Sequence, residues 1–134
     1  MIAHLRITTN GKGLHEFTDQ VHQHVARAEV GEGLCTVFVR HTSCSLIIQE
    51  NADPSARRDL ERWLDRHVPE GDALYTHTSE GPDDMPAHIK AALTQTSIGI
   101  PILEGRLALG TWQGIYLWEH RARPHERRIV LHIA

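Results

Sequence analysis

Apolar and polar positions alternate from the start of the chain: Ile2, His4 and Arg6 share one face, and Leu5 and Ile7 point the other way. A period of two predicts a strand over 2–9. Asn10-Gly11-Lys12-Gly13 predicts a turn. From Thr18 the period lengthens. Val21, Val25 and Ala28 form one stripe, which predicts a helix over 18–28 ended by Gly31 and Gly33. Leu34 to Arg40 is β-branched and aromatic and predicts a strand, with Cys35, Val37, Val39 and His41 on one face. Ser45 to Gln49 continues as a second strand or a bulged extension. Asp53-Pro54 is a helix start, with Asp at the cap and Pro in the first turn. That helix is expected to reach about His67 and to bury Leu60, Trp63 and Leu64. A Pro-, Gly- and Asp-rich loop over 69–83 precedes a third helix over 85–95, with Ile89, Ala92 and Leu93 inward. Strands are expected over 97–103, 106–110, 114–120 and 127–133, with hairpin turns at Glu104-Gly105 and over 122–126. Strands at both ends with helices between them predict an α+β fold with antiparallel sheet.

Composition narrows the picture. A chain of 134 residues suits one domain with one core. Net charge is −3 and pI about 6.4, so no basic field draws nucleic acid or an anionic membrane. Arg121, Arg123, Arg127 and Arg128 are read as a solvated hairpin end in preference to a phosphate or partner patch. No apolar run reaches membrane-spanning length, and Met1-Ile-Ala-His-Leu-Arg6 lacks a signal-peptide layout, so a cytoplasmic protein is expected. Cys35 and Cys44 make no disulfide framework and are expected as free thiols. Eleven histidines are the unusual statistic, and the question is which of them converge.

The densest chemistry is Glu80-Gly-Pro-Asp-Asp-Met-Pro-Ala-His-Ile-Lys90. Asp84 and His88 are four residues apart and share a helix face. Asp84 can also cap the helix, with Pro86 in its first turn. His77 and Glu80 lie just upstream. No HExxH spacing is present, yet a loop histidine, a helix histidine and nearby carboxylates suit a distributed metal site of three protein ligands plus water. Imidazole favours zinc and the acids accept magnesium, so the divalent ion stays open between them. Earlier, His41-Thr42-Ser43 ends a hydrophobic strand, where the hydroxyls could hold an oxyanion or simply close a turn. Cys44 is read as a small buried hydrophobe before a nucleophile. Glu50 and Asn51 offer hard oxygens to a ligand, and Asp53 caps the following helix. Gly110-Thr111-Trp112-Gln113-Gly114 reads as a kinked strand or a close approach to a ligand.

Together these blocks resemble the YjbQ family. The matching text is His41-Thr-Ser-Cys-Ser-Leu46, Glu50-Asn-Ala-Asp-Pro54 with Arg57-Arg-Asp59, Tyr75-Thr-His77, Glu80 to Lys90, and Gly105-Arg-Leu-Ala-Leu-Gly-Thr-Trp-Gln-Gly-Ile115. The resemblance implies an α+β fold of packed, sandwich-like antiparallel sheets with about three helices, a homotrimer with sites near subunit contacts, and histidines and acids clustered on a metal or anion. On that likeness His41, His77 and His88 are the metal ligands. Glu80, Asp84 and Asp53 are their acidic companions, and Thr111 and Gln113 line the pocket. The implied activity is thiamine-phosphate synthesis, joining a phosphorylated thiazole to a pyrimidine pyrophosphate. Lys90, Arg57 or the metal would meet the departing pyrophosphate. Thr42, Ser43, Glu50 and Asn51 would contact the phosphorylated metabolite. Two other expectations share these residues: a metal-dependent hydrolase of phosphatase or esterase type, and a non-catalytic trimeric metabolite-binding protein.

Overall fold

Alternation writes the larger sheet. The computed structural model describes residues 1–134. Its order is β1 (Ile2–Thr8), β2 (Gly13–Glu16), α1 (Thr18–Ala28), β3 (Gly33–Val39), β4 (Cys44–Glu50), α2 (Pro54–His67), α3 (Asp84–Leu93), β5 (Ser97–Leu103), β6 (Arg106–Leu107), β7 (Gln113–Glu119) and β8 (Glu126–Ile133). The five-stranded sheet runs β1-β8-β3-β5-β6, and the three-stranded sheet runs β2-β7-β4. Every named pairing is antiparallel, so the fold is α+β with three helices.

The core lies between the sheets. Leu5 and Ile7 of β1, Val37 and Val39 of β3, Ile100 and Ile102 of β5, and Ile129 and Leu131 of β8 all face inward. They meet Val21 and Val25 of α1, Leu46 of β4, and Ile115 and Leu117 of β7. The central strand of the small sheet is buried on both faces, which is why its text Ile115-Tyr-Leu-Trp118 is continuously apolar. Tyr116 and Trp118 point away from the core onto a second cluster with Leu14, Leu64 and Val68. Helix α2 therefore covers the outer face of the small sheet.

Five readings change. Gly13 does not end a turn but opens β2, and it must be glycine. Its φ is +136°, and a Cβ there would lie 2.3 Å from Glu61 Oε2. Strand β6 is two residues long, Arg106–Leu107, although the Ala108 amide still donates to the Pro101 carbonyl of β5 at 2.8 Å. Trp63 is exposed, not inward, and stacks on His67 one turn later with ring centroids 4.0 Å apart. In α3, Ala92 and Leu93 are exposed, and the buried face carries Asp84, Pro86, Ala87 and Lys90. A search for apolar periodicity passes over such a stripe because charged residues stand at both its ends. Asp84 is not a cap either. Asp83 occupies that position and neither carboxylate caps the helix, both being engaged elsewhere. No helix is long and apolar enough to cross a membrane.

Candidate metal centre

Helix α3 and the loop before it build the site. Asp84 and His88 project from one face, as their spacing requires. Asp84 Oδ2 lies 2.7 Å from His77 Nε2 and 3.2 Å from His88 Nε2. The two imidazoles are 5.3 Å apart between centroids. Ligand atoms of all three residues fall within 4.8 Å of one another. His88 Nδ1 donates to the Thr42 carbonyl at 3.0 Å, which turns Nε2 toward Asp84. A backbone carbonyl orienting a ligating histidine is the usual outer support of a metal site.

The other carboxylate oxygen is held by Arg121. Arg121 Nη1 donates to Asp84 Oδ1 at 2.6 Å, Nε to Asp83 Oδ2 at 3.0 Å, and Nη2 to the Glu80 carbonyl at 2.9 Å. Asp83 Oδ2 also accepts from the Ala122 amide at 2.9 Å. Burial pushes the Asp84 carboxyl up, but the His77 hydrogen bond and the nearby His88 and Arg121 outweigh it and hold it below the usual range. Asp84 is therefore an ionised, buried acceptor pinned on one oxygen, with the other aimed at two imidazoles. His77 is exposed, so the cluster opens to solvent. A cavity of about 420 Å³ beside it is lined by Tyr75, His77, Thr78, Pro82 and Met85 among others.

The remaining residues singled out from the sequence lie elsewhere. His41 does not join the trio. Its Nε2 accepts from the Arg128 amide at 2.7 Å and its Nδ1 lies 3.5 Å from Arg127 Nη1, so both ring nitrogens face β8. Burial, then Arg127, holds its pKa below the ordinary value. Lys90 is buried and bound to Asp65 of α2. Glu80 meets the site only through its carbonyl, and Thr42 likewise. Ser43 Oγ accepts from Arg127 Nη2 at 2.9 Å. Asp53 caps α2, its Oδ1 accepting from the Ser55 amide at 2.9 Å. Asn51 Nδ2 donates to Glu16 Oε2 at 3.0 Å, Gln113 Oε1 accepts from the Gly110 amide at 2.8 Å, and Thr111 is exposed.

Strand register explains the separation. Cys44 pairs with Glu119 at one end of the small sheet, and Glu50 with Gln113 at the other. Six residues at about 3.3 Å each put Glu50, Asn51, Thr111 and Gln113 about 20 Å from the end that carries Thr42 and Arg121. Within one chain they form a second group.

Sequence reasoning missed Arg121, Glu119 and Arg127 as organising groups, although it had placed Asp83 among the carboxylates of the cluster. Arg127 is no solvated hairpin residue: it is 3% exposed. A signal was present, since Arg127 is in phase with Ile129, Leu131 and Ile133 on the inward face of β8. Cys44 is buried, and burial pushes its thiol up to about 12. Native protein at neutral pH is expected to leave Cys44 unmodified by a thiol reagent, with reaction only after unfolding. Rapid native labelling at Cys44 contradicts this.

The family model described as UPF0047 protein YjbQ-like matches residues 3–134. A UPF0047 protein of Synechocystis sp. is 57% identical over 130 residues, covering 97% of this chain and 88% of the relative. The UPF0047 protein YjbQ of Escherichia coli O157:H7 is 42% identical over 127 residues, covering 94% and 91%. The crystal structure of a conserved hypothetical protein from Thermus thermophilus superposes with a TM-score of 0.89 at 31% identity, covering 98% of this chain and 99% of that one. An uncharacterised conserved protein of the YjbQ/UPF0047 family from Clostridium acetobutylicum gives 0.87 at 36% identity, covering 100% and 99%. Family model, relatives and fold agree along nearly the whole length, so the chain belongs to the UPF0047 YjbQ-like family.

Proposed function

We propose that this protein is a metal-dependent enzyme acting on a phosphorylated small molecule, with thiamine-phosphate formation as the named candidate. The observation that carries the reading is the meeting of His77, Asp84 and His88 within 4.8 Å. Two imidazoles and one carboxylate form the donor set of many catalytic zinc sites and suit a borderline-soft ion better than magnesium. The bound ion would supply Lewis acidity to a phosphoryl or pyrophosphoryl oxygen. Thr42 holds the His88 ring in the tautomer that ligates, and Arg121 keeps one Asp84 oxygen occupied so that the other stays directed at the imidazoles. In the candidate reaction a C–N bond forms between thiazole and pyrimidine as pyrophosphate departs. The cavity beside His77 would receive an organic portion of the substrate. A cytoplasmic homotrimer is part of this proposal, and trimerisation would let the Glu50–Gln113 group of one chain approach another chain's site. Sedimentation equilibrium at the mass of a monomer would remove that part.

Elemental analysis of protein purified without added metal, with His77→Ala, Asp84→Asn and His88→Ala beside it, tests the reading. About one zinc-like ion per chain is expected, lost in each variant, together with loss of coupling activity and retention of the folded circular-dichroism spectrum. Full coupling activity in His88→Ala would end it. Arg121→Lys is expected to weaken metal binding about 10- to 100-fold, because the planar fork that fixes Asp84 is gone. Unchanged affinity by calorimetry would contradict that role. The exposure of His77 favours one second reading, a hydrolase, since water reaches the cluster freely. Turnover in a phosphatase or esterase panel, without coupling, would select it. Ligand-dependent melting without turnover in either assay would select the metabolite-binding protein.

A further inference from the structure

Buried polar groups that the His77–Asp84–His88 cluster does not use converge behind α3. His120 follows β7 and is 1% exposed. Its Nε2 lies 2.8 Å from Ser45 Oγ. Ser45 Oγ is 2.6 Å from Thr94 Oγ1, which is 2.8 Å from the Lys90 carbonyl oxygen. A carbonyl only accepts, so Thr94 spends its one proton there. Ser45 must then donate to Thr94, and the His120 Nε2–H to Ser45. All three contacts can be hydrogen bonds only with this polarity, and in the neutral ring it leaves His120 Nδ1 as an unprotonated acceptor.

Nδ1 is also the one buried side-chain nitrogen or oxygen with no protein partner. His120 lines a recess of about 40 Å³ with Lys12, Glu61, Asp65, Lys90 and Trp118 among others. The Lys90 ammonium is 3% exposed and carries three protons, one of which is bonded to Asp65. A deep acceptor and a deep donor with protons to spare therefore border the same small space.

We propose that this recess is a binding site for one water molecule, which donates to His120 Nδ1 and accepts from the Lys90 ammonium. The recess is large enough, since one water needs roughly 10–15 Å³, and its polar lining supplies the two to four partners a buried water requires. A metal ion is disfavoured because the Lys90 ammonium already occupies the cation position against Asp65. An anion is disfavoured by Glu61 and Asp65. Burial pushes the His120 imidazole down to about 3, so it is neutral at pH 7 and keeps its acceptor. The water links α2 through Asp65, α3 through Lys90 and the end of β7 through His120, so it steadies the helix that carries Asp84 and His88. It is a structural site and not a proton path, because the relay ends on a carbonyl that cannot pass a proton on.

The test is a crystal structure at a resolution that shows ordered solvent, with ¹⁵N-resolved spectra of the His120 ring in the intact protein. One solvent peak is expected within about 2.7–3.2 Å of both His120 Nδ1 and Lys90 Nζ, with a pyridine-type Nδ1 resonance. A pyrrole-type Nδ1–H overturns the proposal, as does Lys90 Nζ bonded directly to Nδ1 with no solvent between them. Lys90→Met is expected to displace the Nδ1 resonance and remove the solvent peak, and an unmoved resonance in a folded variant overturns the proposal. Should that variant not fold, the wild-type measurements decide alone. Metal content is not read in any arm, so the outcome is independent of the enzymatic reading.

Discussion

Glu119→Ala lowers the unfolding free energy by about 3–5 kcal/mol, the largest single-residue effect expected in this protein. Glu119 is 1% exposed and Arg127 3%. Oε1 accepts from Arg127 Nε at 2.8 Å and Thr9 Oγ1 at 2.7 Å, and Oε2 accepts from the Arg121 amide at 3.2 Å and from Arg127 Nη2. Arg127 comes from the larger sheet and Glu119 from the smaller, so the pair joins the two sheets at the end that carries the His77–Asp84–His88 cluster. Truncating the acid leaves a guanidinium buried without its counter-charge, and that uncompensated charge is the main cost. The double variant Glu119→Leu with Arg127→Met is therefore expected to recover more than half of the loss, measured by urea denaturation. A double variant as unstable as the sum of its single changes would refute the charge argument. Burial pushes the Glu119 carboxyl up, but its bonds from Arg127 and Thr9 outweigh that and hold it below the ordinary value. The sign follows: this contribution is complete above the unfolded-state carboxyl range and fades as pH falls through the folded value.

Acid also removes stability through His120, at higher pH. Burial pushes its imidazole down to about 3, and Lys90, Arg127 and Lys12 add to the shift. The unfolded chain binds a proton near pH 6.5, whereas the folded one stays neutral to about pH 3. Between these values the unfolded state holds the extra proton, so stability rises with pH across the window. Its slope is expected to approach about 1.4 kcal/mol per pH unit, with a total of roughly 5 kcal/mol at full acidification. Denaturation midpoints from pH 7 to 4 should show a decline that His120→Gln flattens, because an amide does not titrate. An equally steep decline in that variant would assign the acid sensitivity to other groups.

Several parts of this architecture were legible in the residues. Strands β1, β3, β5 and β8 follow from period two, since each has one face on the core and one on solvent. The Asp53-Pro54 start of α2 is local, as the cap bonds only two residues ahead. The Asp84–His88 pair follows from helical geometry alone. Strand β2 was hidden because Gly13 reads as a turn residue until α2 delivers Glu61 against it. Trp63 was misplaced because an apolar side chain marks no face by itself when it can stack on a neighbour one turn away.

Residues whose partners lie within a turn or a strand thus had their geometry set by local periodicity, and the sequence by itself determined the α+β class, the helix carrying Asp84 and His88, and the family likeness. Only the tertiary structure decided which charges meet. Arg121 reaches Asp84 across 37 positions, Lys90 reaches Asp65 across 25, and His41 turns to Arg128 across 87. A buried charge takes whichever counter-charge the packed sheets and helices bring within hydrogen-bond reach, and no period in the chain encodes that choice. For this reason two of the three expected imidazoles share one carboxylate while the third is held by β8.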